Sequence, residues 1–402
     1  MKELGTKELR CVIVGGGYAG IQAARELART FRKEEAGAMR LRLALIDSRP
    51  YHLRKVWLFK PAAEEAADIT CGWDRLLPEG AEFIQGTVAT IAAKERQLVY
   101  ADTEGRERTL AYDILVVAAG SVARLPEPEQ GGIALAGPDA ANRIREAWQA
   151  NLRLASQTAD PAKRKRLLSV AVAGAGISGM ETAAELAHAM RKEAERTGGI
   201  AHGETAVYLL DARERLFPEG PEVLGRKLER VLASGGVTTL HGAKALKEAE
   251  GTVTLADGRT IGAGLCVWTL GLVPNPALRG FGLPLDSGGQ VLVDECYRVR
   301  GADGIYAIGD CARIVDPADG RADGMTCKEG IAQAVRLARI VAADLAGKPA
   351  PSHRRFMDFY CFGLGPGRGM AWMRHWGIDI VIGGKLGWKL RQYAWSLAEF
   401  SR

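Results

Sequence analysis

Two stretches of this sequence have the residue types and spacing that grip a pyrophosphate. Cys11-Val-Ile-Val runs into Gly15, Gly17 and Gly20, and Val170-Ala-Val-Ala runs into Gly174, Gly176 and Gly179. Both have G-x-G-x-x-G spacing. The first glycine allows a tight turn, and the second lets backbone approach the phosphates. The third lets the next helix pack on the strand, so that its N-terminus faces the phosphate charge. Tyr18 and Ala19 belong to the first finger, and Ile177 opens the helix after the second. An acid should then end the following strand to hold a ribose. Leu41-Arg-Leu-Ala-Leu-Ile ends in Asp47, and Ala206-Val-Tyr-Leu-Leu ends in Asp211. Asp47 comes later than the usual ~20 residues after the motif, and a polar insertion around Arg32 to Arg40 accounts for the delay. Two complete fingerprints predict two dinucleotide sites.

The elements that must position these residues read as an α/β chain with two Rossmann-like dinucleotide-binding domains and a C-terminal amphipathic tail. The first domain is discontinuous, over residues 1–125 and 281–350. The second is inserted over 126–280, and 351–402 form the tail. After Asp47 comes a polar turn with Ser48, Arg49 and His52, leading to Trp57-Leu-Phe59. Glu82 to Val88 reads as a strand whose backbone, at Val88, could meet an adenine edge. Gln97 to Ala101 and Arg108 to Ala111 flank a hairpin signal, Thr103-Glu-Gly-Arg106. Tyr112 to Gly120 is an apolar strand ending in small residues, Ala118, Ala119 and Gly120, which suits a central parallel strand whose end lies near a ligand. Leu265 to Gly271 ends the second domain in the same way.

Gly131 to Arg166 reads as a polar, helical connection, and Ile177 to Arg196 as a helix bearing Glu181 and Glu185. Gly304 to Asp310 reads as a strand that ends in Gly309 and Asp310. Thr326 and Glu329 form a capping box that opens a helix from Cys327 to Leu345, with Ile331, Val335, Ala338 and Val341 on its apolar positions. Gly347-Lys-Pro349 stops it.

Bulk properties narrow the class. With 402 residues, a net charge of +6 and 25% charged residues, the chain fits a soluble globular protein of two or three domains. It has no basic-then-apolar leader and no apolar run of roughly 18 to 20 residues, so a cytoplasmic protein is expected. The seven cysteines are too far apart for a C-x-x-C redox pair or a zinc-type cluster, so no metal site is predicted. No motif supports nucleic-acid binding.

With these motifs in hand, the chain resembles the two-dinucleotide-binding flavoprotein oxidoreductases of the pyridine nucleotide-disulfide oxidoreductase superfamily. It looks most like the type II NADH:quinone oxidoreductases. The likeness covers roughly residues 10 to 345, through GGGYAG, IDSRPYHL, YDILVVAAG, GAGISGME, LLDARERLFP, VWTLGLVPNP and YAIGDCA. It implies that FAD is held by Gly15, Gly17, Gly20 and Asp47, with Asp310 on the ribityl or phosphate side and Thr326 and Cys327 at the flavin ring. It implies NADH at the second finger, with Glu181 beside the nicotinamide, and a membrane quinone as acceptor. Where the family has Ala-Gln and then Gln-Gln on the last helix, this chain has Cys327-Lys328 and Ala332-Gln333. Ala119 stands where a threonine is usual.

On this reading Asp211 holds both ribose hydroxyls and disfavours a 2′-phosphate, although Arg213 and Arg215 could instead attract one. Glu181 could equally serve the helix dipole. The helix N-terminus at Thr326 would place about half a positive charge where a reduced flavin carries negative charge, with Lys328 adding a full one. Gln333 and Lys328 are the candidates on the acceptor side, and Lys328 could also be a solvated surface residue. No dithiol is available for disulfide chemistry. Cys361 in Tyr360-Cys-Phe-Gly is the one likeness to sulfide:quinone oxidoreductases, but the second finger has Ala175, Ile177 and Ser178 where a partner cysteine is expected.

The tail holds four of the eight tryptophans: Trp372, Trp376, Trp388 and Trp395. Its last stretch, Lys385 to Phe400, reads as a helix with Leu386, Leu390, Tyr393, Leu397 and Phe400 on one stripe and Lys385, Lys389 and Arg391 off it. Such a helix suits an anionic membrane surface or a homodimer contact. The alternatives to NADH:quinone chemistry are a soluble NAD(P)H reductase of another acceptor and a nucleotide-sensing flavoprotein.

Overall fold

The apolar runs that precede both glycine fingers form the centres of two parallel sheets. The computed structural model describes residues 7–33, 39–65, 68–398 and 400. The polar insertion expected around Arg32 to Arg40 falls partly outside them. The chain divides into two compact units, one of residues 1–53, 70–122 and 272–356, the other of 54–69, 123–271 and 357–402.

In the first unit a five-stranded parallel sheet has the order Ile305–Ala307, Ile114–Val117, Lys7–Val14, Met39–Asp47, Glu82–Gln85. Val14 lies opposite both Ile46 and Val117, so the first finger, the acid-ended strand and the small-residue strand all finish at one level. Val12, Ile13, Ala44, Leu45, Leu115 and Val116 are fully buried, as expected of strands covered on both faces.

The second unit repeats the plan with Ile133–Ala134, Leu265–Trp268, Ser169–Ala173, Ala206–Leu210 and Val237–Leu240. Ala173 lies opposite both Leu210 and Trp268. These are two Rossmann-like halves, each with its finger strand at the centre of the sheet.

Three elements differ from the sequence reading. Glu82 to Val88 is two strands: Glu82–Gln85 ends the parallel sheet, and Thr87–Ala92 begins an antiparallel sheet with Gln97–Ala101 and Glu107–Ala111. The chain changes sheet at Gly86, whose N–H is held by the Asp47 carbonyl at 2.9 Å. The stretch from Gly131 to Arg166 is part of the second unit's core, because Ile133–Ala134 is its edge strand and the helix Pro138–Ser156 buries Ile144, Trp148 and Leu152. On the helix Cys327–Leu345 the buried stripe is Ala334, Leu337, Ala338 and Val341, with Ile331 and Val335 half-buried at its margin. The i, i+3, i+4 pattern allowed both phases.

The tail is also more than a helix. Phe359–Gly363, Gly369–His375 and Ile378–Ile382 form an antiparallel meander ahead of the helix Gly384–Ala398. Its second hairpin turns through Trp376 and Gly377, both at positive φ, as a two-residue loop of this hand requires. The helix lies against the meander where two glycines meet: a Cβ on Gly387 would stand 2.5 Å from the Gly369 carbonyl oxygen.

The face turned inward carries Gly387, Trp388, Arg391 and Trp395, and the outer face carries Leu386, Tyr393 and Leu397. Of the expected apolar stripe, Leu390 is half-buried and Phe400 buried. No described helix is long and apolar enough to cross a membrane. Gly387→Ala is expected to destabilise the protein by about 1–3 kcal/mol through overpacking at the Gly369 backbone. Chemical denaturation with tryptophan fluorescence would measure this, and an unchanged midpoint would show that the helix can ride outward freely.

Candidate active site

Both glycine loops have the same physical shape. In the first unit a Cβ on Gly15 would stand 2.3 Å from the Ala118 carbonyl oxygen, and one on Gly20 would stand 1.9 Å from the Gly15 carbonyl oxygen. In the second, Gly174 would meet the Thr269 carbonyl at 2.3 Å and Gly179 the Gly174 carbonyl at 1.8 Å. Gly17 and Gly176 face open space instead. Thus the outer glycines close the helix onto the strand end, and the middle one is left where a pyrophosphate must approach. Helices start at Tyr18 and Ile177, with their first N–H groups at that opening. This cradle fits a dinucleotide phosphate in each unit.

The first unit gathers most of the predicted flavin-side residues. Asp47 accepts from the Gly16 N–H at 2.7 Å and from the Arg49 N–H at 2.9 Å, which fixes its carboxylate beside the loop. Ser48 gives its carbonyl to Gln85, and buried His52 meets the Gly16 carbonyl through Nδ1 at 2.9 Å. Val88 lies in the antiparallel sheet opposite Tyr100, at a register shift. Ala118, Ala119 and Gly120 follow the strand beside the loop, and Asn275 pins them through the Ala119 and Gly120 carbonyls.

Asp310 accepts from the Ser121 hydroxyl at 2.5 Å. Gly309 sits at positive φ against Ala19, and Gly330 packs against both, so the Gly309–Asp310 turn, the first finger and the start of the Cys327–Leu345 helix meet. Thr326 caps that helix. Its hydroxyl oxygen accepts the Glu329 N–H at 3.4 Å, and its O–H donates to the Glu329 carboxylate at 2.5 Å. The carboxylate reaches back to the Gly324 N–H, two residues before the cap, rather than to that of Thr326. Cys327 is the first helical residue. Lys328 extends over the Phe356 ring, its Nζ 5.7 Å from the centroid.

Gln333 is buried and engaged at both ends. Its oxygen accepts the Gly309 N–H at 2.7 Å, and its amide donates to Asp323 at 2.8 Å. Gln333, expected on the acceptor side, thus holds the Gly309–Asp310 turn.

The second unit brings Gly174, Gly176, Ile177 and Gly179 beside Asp211, through the Gly174 N–H on the Leu210 carbonyl and Arg213 on both Asp211 and Ala175, and buries Glu181; Gly271 instead accepts from the Arg124 N–H. The Glu181 carboxylate accepts the Gly363 N–H at 2.8 Å and pairs with Arg391 at 2.5 Å. Burial pushes its proton affinity up, against the pull of Arg391 and the Gly363 amide. Arg391 therefore points inward, not off the apolar stripe into solvent. One turn on, Glu185 borders a cavity of about 380 Å³ with Lys60, Glu64, Trp57, Trp388 and Trp395, in which the Lys60 ammonium lies 3.8 Å from the Trp57 ring centroid. Burial, with Glu64 and Glu181 adding to it, pushes Glu185 up to about 7.

Arg215, which on the sequence could attract a 2′-phosphate, donates to the Phe217, Pro218 and Gly220 carbonyls and staples its own turn. The thiols of Cys11 and Cys311 are pushed up to about 12 by burial, so they stay protonated. Among the described residues no group of three His, Cys, Asp or Glu side chains could hold a metal.

Sequence reasoning missed Arg391, Trp73 and Ser121 as partners. Trp73 closes over the loop at Gly16 and stacks on Phe83. The contacts of Arg391 with Glu181, Ser121 with Asp310 and Trp73 with Gly16 join segments far apart in sequence, and nothing local marks them.

The signature of the pyridine nucleotide-disulphide oxidoreductase family matches residues 9–336. The chain belongs to this family. It is 28% identical to an NADH dehydrogenase-like protein of Mycobacterium tuberculosis strain CDC 1551, over 80% of this chain and 77% of that one. It is 27% identical to a type II NADH:quinone oxidoreductase of Haemophilus influenzae, over 76% of this chain and 73% of that one. Its fold is similar to that of NDH2 from Plasmodium falciparum in complex with NADH, with a TM-score of 0.82, 16% identity and coverage of 96% and 94%. This family member is an oxidoreductase built on two Rossmann-like units.

Two expectations follow. Gly17→Ala should leave stability within about 0.5 kcal/mol of the parent yet weaken flavin retention, whereas Gly20→Ala should lower stability by about 1–3 kcal/mol. Denaturation and absorbance at the flavin band would separate the two, and equal effects would contradict the open-middle geometry. Glu185 binds a proton more tightly folded than unfolded, so folding loses stability as pH rises from about 4.5 to about 7, with the full cost above. Glu185→Gln should therefore stabilise the protein at pH 8 and change little at pH 4.5 in paired urea titrations.

Proposed function

We propose that this oxidoreductase is a flavoprotein NADH:quinone oxidoreductase, with FAD held by the first unit and NADH by the second. The observation that carries the reading is the presence in one chain of two pyrophosphate cradles, each beside an acid that ends the neighbouring strand. Bound FAD would supply the two-electron chemistry, taking hydride from NADH and passing electrons to the quinone.

The chain's residues supply orientation and field. Asp47 and the Gly15–Gly20 loop hold the ADP half of FAD, and Asp310, braced by Ser121 and Gln333, orients its ribityl side. The helix N-terminus at Thr326 and the Lys328 ammonium set positive potential where negative charge develops. Asp211 receives the NADH ribose, and Glu181, locked by Arg391 and Gly363, shapes the nicotinamide end.

The quinone is reached from the membrane surface, without proton pumping. Leu386, 58% exposed, with Tyr393 and Leu397, forms an apolar outer face flanked by Lys385 and Lys389, and the nearby hairpin tip exposes Trp376 to 90%. Apolar side chains among lysines suit peripheral attachment to an anionic surface, on the inner face of the cell membrane. A second copy of the chain covering the same face is the competing occupant. A soluble reductase of another acceptor is the second reading, favoured by Gln333 being bonded at both ends.

Anaerobic stopped-flow mixing with NADH should bleach the flavin band, and a short-chain quinone should restore it within the turnover time. Bleaching without restoration would leave the soluble-reductase reading. In parallel, Leu386→Glu with Leu397→Glu should release the protein from anionic liposomes without altering NADH-driven bleaching. Retention on the liposomes would remove the tail from the attachment.

A further inference from the structure

The ribose end of the second unit departs from a simple acid-ended strand. Asp211 is 2% exposed, and its two oxygens have different surroundings. Oδ1 accepts from the Arg213 backbone N–H at 3.1 Å and from the Arg213 guanidinium Nε at 3.0 Å. Oδ2 is buried and accepts no hydrogen bond, and 3.8 Å from it lies Nδ1 of His241, which also makes none. The other His241 nitrogen is 2.9 Å from the Glu229 carboxylate, which fixes the ring.

A second guanidinium nitrogen of Arg213 donates to the Ala175 carbonyl at 3.0 Å, so this cation lies across the glycine loop itself. Glu219 is its other charged neighbour, at 3.5 Å. His241 also lines a cavity of about 550 Å³ together with Glu229, Arg226, Arg215, Glu214 and Glu222, so its wall carries three carboxylates and two guanidinium groups. Arg226 is paired with Glu222, and Arg215 with backbone carbonyls.

A bare buried carboxylate at this point would accept ribose hydroxyls and repel a 2′-phosphate carrying up to about two negative charges. Here the carboxylate charge is compensated at contact distance by Arg213, whose planar fork matches a phosphate. Its side chain is 37% exposed, so it can turn from Asp211 to an incoming anion while its own backbone N–H keeps Oδ1 satisfied. The unpartnered Oδ2 remains as acceptor for a ribose hydroxyl. One site thus has a built acceptor for the hydroxyl and a built donor for the phosphate.

We propose that this subsite takes nicotinamide dinucleotides with or without a 2′-phosphate, with Arg213 and His241 as the residues that admit NADPH beside NADH. The proposal rests on reading the second unit as the nicotinamide-nucleotide site. It moves the specificity decision from Asp211 to the cation that covers it.

The test uses FAD-loaded full-length protein, so that the first unit is filled, and reads binding by calorimetry rather than turnover. The probes are ADP and adenosine 2′,5′-bisphosphate, which differ in where the second phosphate sits. The parent should bind the 2′,5′-bisphosphate within about tenfold of ADP. Arg213→Ala should weaken the 2′,5′-bisphosphate about ten- to hundredfold, the worth of one or two charge-assisted hydrogen bonds, and leave ADP within about threefold. Arg213→Lys should recover part of the loss, and His241→Gln, which can still bond to Glu229, should show a smaller loss of the same sign.

A parent that binds the 2′,5′-bisphosphate more than about a hundredfold more weakly than ADP would overturn the proposal. So would an Arg213→Ala variant that weakens both probes alike. Neither of these results touches the nicotinamide-site reading. Failure of both probes to bind the parent would remove that reading as well.

Discussion

Both units depend on how closely a helix can approach the end of a strand. At Gly20 and Gly179 a single methyl group would overlap a carbonyl oxygen of the same loop. With that methyl absent, the helix N-terminus sits directly over the strand end, and its unsatisfied N–H groups face an opening instead of protein. Everything else at the two sites is arranged around that opening. The parallel register brings Asp47 and the Ala118–Gly120 segment to the same level, and Asp211 and Thr269 to the corresponding level in the second unit. The glycine pattern is therefore a packing requirement first and a binding feature as its consequence.

The electrostatics are built from compensated buried charges. Glu181 is tied to Arg391 and a backbone amide, and Asp211 to Arg213. A buried charge left without any partner costs several kcal/mol, and each of these carboxylates keeps a hydrogen-bond donor at contact distance, for Asp211 the Arg213 backbone N–H as well as its side chain. The Glu181–Arg391 pair also gives the tail helix a role inside the second unit. One face carries Arg391 and Trp395 into the core, and the other leaves Leu386, Tyr393 and Leu397 outside. A helix apolar on two faces is suited to being held by its own unit while presenting a surface to something else.

Most of the fold was legible in the amino-acid sequence because the information was local. Glycine spacing, apolar runs and an acid at a strand end are each confined to about ten residues, and the same steric rules apply wherever they occur. The finger strands, the helices that follow them and the Thr326 cap needed nothing more. The strand break at Gly86 and the phase of the Cys327–Leu345 helix were not legible, since each local pattern admits two arrangements and only the neighbouring sheet or helix selects one.

What the sequence by itself determined is a chain with two glycine fingers, an acid at the end of each neighbouring strand and no closely spaced cysteine pair. The tertiary structure alone decided what those acids and their neighbours touch. It turned Arg391 inward to Glu181, used Gln333 to brace Gly309, tied Arg215 to the carbonyls of its own turn and laid Arg213 between Asp211 and the Ala175 carbonyl. The physical reason is range. A turn or cap is fixed by neighbours along the chain, whereas the partner of a buried charge is whichever opposite charge the packing brings within about 3 Å, however distant in sequence.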